Sequence, residues 1–582
     1  MKRRDFLKAT MLAGAAAAVP GSMMTLQSCS EDKKATTVAP NQLEGKADIL
    51  VLGNIITIDP DQLFAEAMTI KNGLIQYVGP KTIAQTYCDD NTKVIDYGTN
   101  TVYPGFMEAH CHGSLAGQML SGILLYDGKS YKEYQEIIKK YIDEHPDQEI
   151  YKMAGWKEVE VLPPTCKLLD EVCPDKPIIG SSFDGHSQLM NTKAKEKFGV
   201  DAEFAKKYGT DQVRVFEDGT PTGYISEAPA MAISKQLAAT QEDAKRYIKD
   251  WEKFAFSHGY VAAAEAGVNL VPKNHEAYLE LDAANELKIR TFSFYNIVQD
   301  DATPENVQMV ADMKEATKNG RYKVIGVKLF IDGVVEGHTG LLAEDYVDAP
   351  GKGVNRYPDA EKLKMVVLEA HKHGLPTHTH SIGDAATTYM LDAIENSKKI
   401  TGNYAIRDML AHLQLVDPKD FKRFAKNNVS AIIAALWAPK EVNVIYRQEV
   451  QFIGKERADR SYQAATFLQW GINCAQHTDY PVSIDMNIPK AIYCAVTRML
   501  PTDGEKSLRE KNEAVSRLEI LKEFTINVAY LWNEEKNMGT LTAGKQANYV
   551  VWDTDFIDDD IEKIPAAKLL NVVIDGEEVY KA

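Results

Sequence analysis

The stretch Thr101-Val102-Tyr103-Pro104-Gly105-Phe106-Met107-Glu108-Ala109-His110-Cys111-His112 decides how this chain is read. It is a largely apolar run that ends on two histidines separated by one residue. Residues i and i+2 of a strand share a face, so His110 and His112 can approach one metal ion while Cys111 points into the packing. Taken alone, the pair also fits two ordinary hydrogen-bonded histidines beside a turn. Four further runs end in the same manner. Gly326-Val327-Lys328-Leu329-Phe330-Ile331-Asp332-Gly333 places an ammonium inside an apolar strand, where it is costly unless paired. Thr377-His378-Thr379-His380-Ser381 sets His378 and His380 on one face, Leu410-Ala411-His412 follows, and Gln476-His477-Thr478-Asp479-Tyr480-Pro481 completes the set.

Each of these five runs precedes a loop or a helix. Helical stretches over 359–373 and 384–397 alternate with apolar runs at 324–330, 376–380, 409–412 and 472–476. Strands alternating with helices imply parallel pairing through right-handed crossovers. The expected fold is therefore α/β, a TIM-like (β/α)8 barrel, which collects all five polar strand ends at its C-terminal rim, where active sites form. The two ends of the chain read differently. Strand patterns cover 48–52, 54–58 and 67–70, and Asn72-Gly73 signals a hairpin into 74–79. At the far end, 541–545 is a turn, 547–552 a strand and 572–579 another hairpin. The expected division is a small β-sandwich domain from residues 46–102 and 541–582. The barrel takes 103–540, with an insertion over about 115–250.

A chain of 582 residues exceeds what one domain of ~150 residues needs. At 45% apolar and 26% charged it is globular in composition, and its net charge of −17, with no clustered Lys or Arg, argues against nucleic acid. The expected partner is a small-molecule substrate. Oligomeric state is not readable, and a homodimer is left open. Seven cysteines form no CxxC pair. Cys166 and Cys173 are close enough in sequence to be bridged, and most of the seven read as small buried apolar residues.

The first 29 residues stand apart. Arg3-Arg4-x-Phe6-Leu7-Lys8 before an Ala-rich stretch too short to span a bilayer resembles a twin-arginine export signal. Leu26-Gln27-Ser28-Cys29 resembles a lipobox in which Cys29 would carry lipid, and Ser30-Glu31-Asp32 resembles a cell-surface sorting signal. Residues 30–45 read as a linker. These motifs imply an exported protein, periplasmic or a lipoprotein of the outer membrane or cell surface, touching a membrane only through that anchor.

An HxH pair, a strand Lys, two separate strand His and a late strand Asp, in this order, resemble the amidohydrolase superfamily. The chain is most similar to its YtcJ-like, amidohydrolase-3 branch. Gly155-Trp156, Leu162-Pro163, Leu169-Asp170 and Asp184-Gly185-His186-Ser187 with Asn191 follow that branch's insertion, and Gly539-Thr540-Leu541-Thr542-Ala543-Gly544-Lys545 its closing turn. Several positions depart from it. Glu108 stands for an Asp, Ala411 for a Glu and His477-Thr478-Asp479 for Gly-Ser-Asp. Val334-Val335-Glu336-Gly337-His338 stands for Ser-Leu-Gly-Ser-Arg, and Asn548 for an Asp.

The resemblance implies roles. His110 and His112 bind the more buried metal with Asp479 nearby; Lys328, carboxylated by CO₂, bridges two ions; His380 and His412 hold the second. His378 is a supporting or packed residue. His186 and Trp156 contact substrate, and His338 and His477 are further pocket candidates. N and O ligands suit Zn²⁺, one or two ions, with Mn²⁺ and Fe²⁺ as alternatives. Asp479 would act as general base and then acid. The implied reaction is hydrolysis of a non-peptide C–N bond in an amide, formamide or cyclic amide. The alternatives are ester or lactone hydrolysis or deamination at the same site, or a non-catalytic lipid-anchored binding protein.

Overall fold

The computed structural model describes residues 43–582, apart from residues 127, 159–163, 183–186, 238, 443 and 484. The export motif, Cys29, most of the linker and His186 thus lie outside the described residues.

Eight strands, Phe106–Cys111, Tyr260–Ala266, Arg290–Asn296, Tyr322–Phe330, Thr377–Ser381, Asp408–His412, Val429–Ile433 and Cys474–Gln476, pair in sequence order and in parallel. The alternation of strand and helix forces this arrangement, and the sheet curls into a TIM-like barrel. The segment after the last strand closes the ring onto the first. The Asp479 N–H donates to the His110 carbonyl at 3.1 Å, and the His112 N–H to the Tyr480 carbonyl at 2.8 Å. The pairing register fixes which side chains meet at the rim: Lys328 lies opposite His378, Phe330 opposite His380, and Ser381 opposite His412.

Between the first and second barrel strands the chain builds a separate six-stranded sheet. It packs its own core, with Ile123, Tyr134, Tyr151, Trp156, Leu168 and Leu189 fully or almost fully buried. The helix Gln241–Ser257 returns the chain to the barrel. A reciprocal capping box starts it, in which the Thr240 hydroxyl accepts from the Asp243 N–H and the Asp243 carboxylate from the Thr240 N–H. Cys166 and Cys173, readable as a bridged pair, are both free thiols.

The two chain ends form one small domain. Strands Ile49–Ile56, Phe64–Lys71, Leu74–Gly79 and Lys93–Pro104 combine with Tyr549–Trp552, Leu569–Ile574 and Glu577–Lys581 in a single seven-stranded sheet. The sheet folds back on itself, so that Leu74 bridges Gln546 and the Ile75 N–H reaches the Lys545 carbonyl at 2.8 Å. Its two layers therefore belong to one continuous sheet. The Asn72-Gly73 turn has φ of 52° and 76°. At Gly73 a Cβ would also sit 2.9 Å from the Asp575 carbonyl, so no other residue fits without a shift. Asp575 ties this domain to the barrel through Arg290 at 2.8 Å and Arg321 at 2.7 Å.

Candidate metal centre

His110 projects from the end of the first barrel strand, and His112 follows directly before the helix Gly113–Leu120. Cys111 faces the other way, its Sγ donating to the Ala264 carbonyl at 3.3 Å. The Nε2 atoms of His110 and His112 lie 3.2 and 3.4 Å from Oδ1 of Asp479. The Lys328 Nζ is 3.4 Å from His110 Nε2. His412 completes a group with His110 and Asp479 whose ligand atoms all lie within 4.8 Å of one another. The rings of His380 and His477 stand 4.5 and 4.9 Å from that of His412, centre to centre. His412 and Asp479 are both held at positive φ, 78° and 60°. Such backbone is disfavoured for residues other than glycine, by about 1–3 kcal/mol, and persists where the surroundings fix it.

Two contacts orient the histidines. His110 Nδ1 is 2.5 Å from His378 Nε2, so its Nε2 is left for the centre of the cluster. His380 Nε2 donates to the Gly333 carbonyl at 3.1 Å, which makes Nδ1 its lone-pair nitrogen. Glu108 holds the frame. Its fully buried carboxyl accepts from the His110 N–H at 3.0 Å and the Thr478 N–H at 3.1 Å, clamping the first strand to the loop that carries Asp479.

The residues fit a divalent cation on the evidence of their bare atoms. Both ring nitrogens of His412, both of His477 and Nδ1 of His112 are buried without a hydrogen-bond partner, and Oδ1 of Asp479 makes no aligned hydrogen bond despite its close neighbours. Buried polar atoms are ordinarily paired. Ligand atoms of His110, His412 and Asp479 lie within 4.8 Å of one another, so the bare atoms of His412 and Asp479 share a volume that a cation would fill. Protonation states agree. Burial pushes the imidazoles of His110 and His412 well below the ordinary range, His380 to about 3 and His477 to about 4, so all are neutral and able to offer a lone pair. Burial also pushes the Lys328 ammonium down to about 7, with the Asp479 charge opposing it. For Asp479, burial favours the neutral acid, but His412 and His112 outweigh it and hold the carboxyl far below the usual carboxylate range.

The structure thus brings together His110, His112, Lys328, His380, His412, His477 and Asp479. It does not bring Trp156 to them. That indole is fully buried in the insertion's own core, its Nε1–H donating to the Gly180 carbonyl at 3.0 Å, so the expectation of a substrate contact is corrected. A large aromatic at the end of a strand serves packing as readily as a pocket. His338 lies in the loop after the fourth barrel strand, paired with Asp348 at 3.0 Å and set against Tyr346 and Phe452, rather than in the cluster. Two participants were not legible as such. Trp437 stacks on His412 with centroids 5.5 Å apart, its only sequence cue being a position just past the seventh barrel strand. Glu265, pushed up to about 7 by burial, accepts from the N–H and hydroxyl of Ser114, each at 2.9 Å, and so pins the helix after His112.

Comparison with known proteins agrees with this geometry. The chain is 26% identical over 549 residues to the protein LONG AFTER FAR-RED 3 of Arabidopsis thaliana, covering 92% of each. It is 24% identical to the putative amidohydrolase YtcJ of Bacillus subtilis, covering 89% of this chain and 96% of that one. It is 23% identical to the N-substituted formamide deformylase of Arthrobacter pascens, covering 91% and 97%. The fold matches the crystal structure of an uncharacterized metal-dependent hydrolase from Pyrococcus horikoshii, with a TM-score of 0.69 at 22% identity, covering 88% of this chain and 99% of that one. The model of the amidohydrolase family matches residues 93–580, so this chain belongs to the amidohydrolase family and is a hydrolase built on its barrel.

Proposed function

We propose that this protein is an exported, divalent-metal-dependent amidohydrolase that cleaves a non-peptide C–N bond in a small amide, formamide or cyclic amide. One observation carries the reading: ligand atoms of His110, His412 and Asp479 lie within 4.8 Å of one another at the C-terminal mouth of the barrel, with both nitrogens of His412 and Oδ1 of Asp479 buried and unpartnered. The formamide deformylase named above favours an amide or formamide over other substrates. His110, His112 and Asp479 would hold one ion and His380 and His412 a second. The Lys328 amine, which burial keeps from staying fully charged, would add to CO₂ with loss of a proton, and the carbamate would supply anionic oxygen ligands. A bound divalent cation polarises the scissile carbonyl and lowers the pKa of water towards ~7.

The chain's own residues do the remainder. Asp479 is ionised, and the carboxylate oxygen that it does not give to the ion would take a proton from the attacking water and return it to the leaving nitrogen. His378 fixes the orientation of His110 from behind. The test is metal analysis coupled to turnover of an amide and its matched ester. One or two equivalents of metal with amide turnover are expected. Faster ester turnover would favour an esterase or lactonase, and full metal occupancy without turnover of either would leave a binding protein. Export rests on Arg3-Arg4 and Cys29 in the sequence. Replacing both arginines by lysine should retain the protein in the cytoplasm, and Cys29→Ser should release it from the membrane fraction.

A further inference from the structure

Beside the metal centre, at the same rim, lies a pocket of about 250 Å³ lined by Leu270, Asn296, Val298, Phe330, Arg356 and Tyr357. Its lining comes from the ends of the second, third and fourth barrel strands and the loops after them. It adjoins the cluster through one shared wall. The Phe330 ring has its centroid 4.5 Å from the Lys328 Nζ and 5.5 Å from the ring of His380. Arg356 is tethered there by its backbone, whose N–H donates to the Ile331 carbonyl at 2.8 Å. Its guanidinium lies against Gly333, the residue whose carbonyl accepts from His380.

That guanidinium has no ion-pair or side-chain hydrogen-bond partner among the described residues. The nearby acid, Asp332, is fully buried, and its carboxylate already accepts from the N–H groups of Leu341, Ile382 and Gly383 at 2.9, 3.1 and 2.8 Å. Across the pocket, the amide oxygen of Asn296 is buried without a partner. The rest of the wall is apolar or, in Tyr357, has its hydroxyl spent on the Ile297 carbonyl. The pocket is thus an apolar slot with one open cationic fork, next to the reacting centre. An Arg fork matches a carboxylate in two parallel N–H···O bonds.

We infer that this pocket is a specificity subsite in which Arg356 binds a carboxylate carried by the substrate, so that the preferred substrate is an anionic amide. The inference deepens the reading of the neighbouring centre as a C–N hydrolase and rests on it. The loop that carries Arg356 follows the Val334-Val335-Glu336-Gly337-His338 segment. Specificity would therefore reside in this one long loop after the fourth strand.

The test uses 4-(formamidomethyl)benzoate and its neutral partner 4-(formamidomethyl)benzamide with metal-loaded wild type, Arg356→Ala and Arg356→Lys. Wild type should prefer the benzoate. Arg356→Ala should lower the benzoate-to-benzamide ratio of kcat/KM at least about tenfold, mainly through KM, and Arg356→Lys should keep part of the preference. The Arg356 side chain is exposed and unpartnered, so neither variant threatens folding. An equal ratio in wild type and Arg356→Ala overturns the inference. Should neither formamide be turned over, the reading as a C–N hydrolase of formamides is what fails. Calorimetric titration of the same pair into wild type and Arg356→Ala then decides the inference by itself: tenfold weaker benzoate binding in the variant supports it, and equal binding overturns it.

Discussion

The five-residue strand Asp408–His412 carries a buried polar residue at each end, and the two ends obey opposite rules. At its N-terminal end Oδ1 of Asp408 is saturated, and Oδ2, which makes no aligned hydrogen bond, faces a cation. Oδ1 accepts from His371 Nε2 at 2.9 Å and from the Thr377 N–H and hydroxyl at 3.0 and 2.8 Å, while the Lys398 ammonium sits 2.9 Å from Oδ2. His371 is saturated too, its Nδ1 meeting the Ser397 hydroxyl at 2.8 Å. At the C-terminal end, neither nitrogen of His412 has a partner. Both ends are fully buried or nearly so. A Ser-His-Asp array at the bottom of the barrel looks catalytic as a set of residues, yet it is closed to solvent and its acid is ion-paired with Lys398, so it serves stability. The incomplete cluster at the top is where chemistry is possible. The lesson is that imidazoles with both nitrogens bare, rather than the presence of histidine and aspartate, mark the site, whereas in the structural network the imidazole is satisfied and the acid is paired with Lys398.

The same substitution at the two ends should separate these roles. Asp479→Asn should retain the metal but lower kcat by about 10³- to 10⁴-fold, read against an amide substrate with metal content measured in parallel. Survival of activity would remove Asp479 from the proton transfer. Asp408→Asn strands the buried Lys398 charge and should reduce stability by about 3–5 kcal/mol in denaturant unfolding, with normal metal content per folded molecule. Lys328→Ala should lose metal and regain part of it with added short carboxylates; intact metal content in that variant refutes the bridging role. His378→Ala, which touches His110 from behind, should weaken metal binding about 10- to 100-fold in chelator competition.

The smallest effect is a pH dependence at the barrel bottom. Burial alone would raise the Asp408 carboxyl, but His371 and Lys398 hold it well below its ordinary range. The folded state therefore releases this proton more readily than the unfolded chain, whose aspartates titrate near ~3.9. The stabilisation is fully present above that value and is lost as pH falls through the folded one. The stability gap between wild type and Asp408→Asn should accordingly shrink as the pH is lowered below about 4. A gap that stays constant there would mean that Asp408 is not the charged partner in this network.

The sequence by itself determined the barrel and most of the cluster. Strand periodicity put His110 and His112 on one face, the alternation of strands with helices dictated parallel pairing, and parallel pairing carried every polar strand end to one rim. A lysine inside an apolar strand was a misfit that announced a use. What only the tertiary structure decided depends on neighbours far apart in the chain. It left His412 bare and His371 satisfied, spent Trp156 on a core of its own, stacked Trp437 on His412, and set Arg356 unpaired beside Phe330. Local pattern fixes which way a side chain points from its own strand. Whether its polar atoms find partners is settled by residues from other elements, and only the assembled barrel brings those into contact.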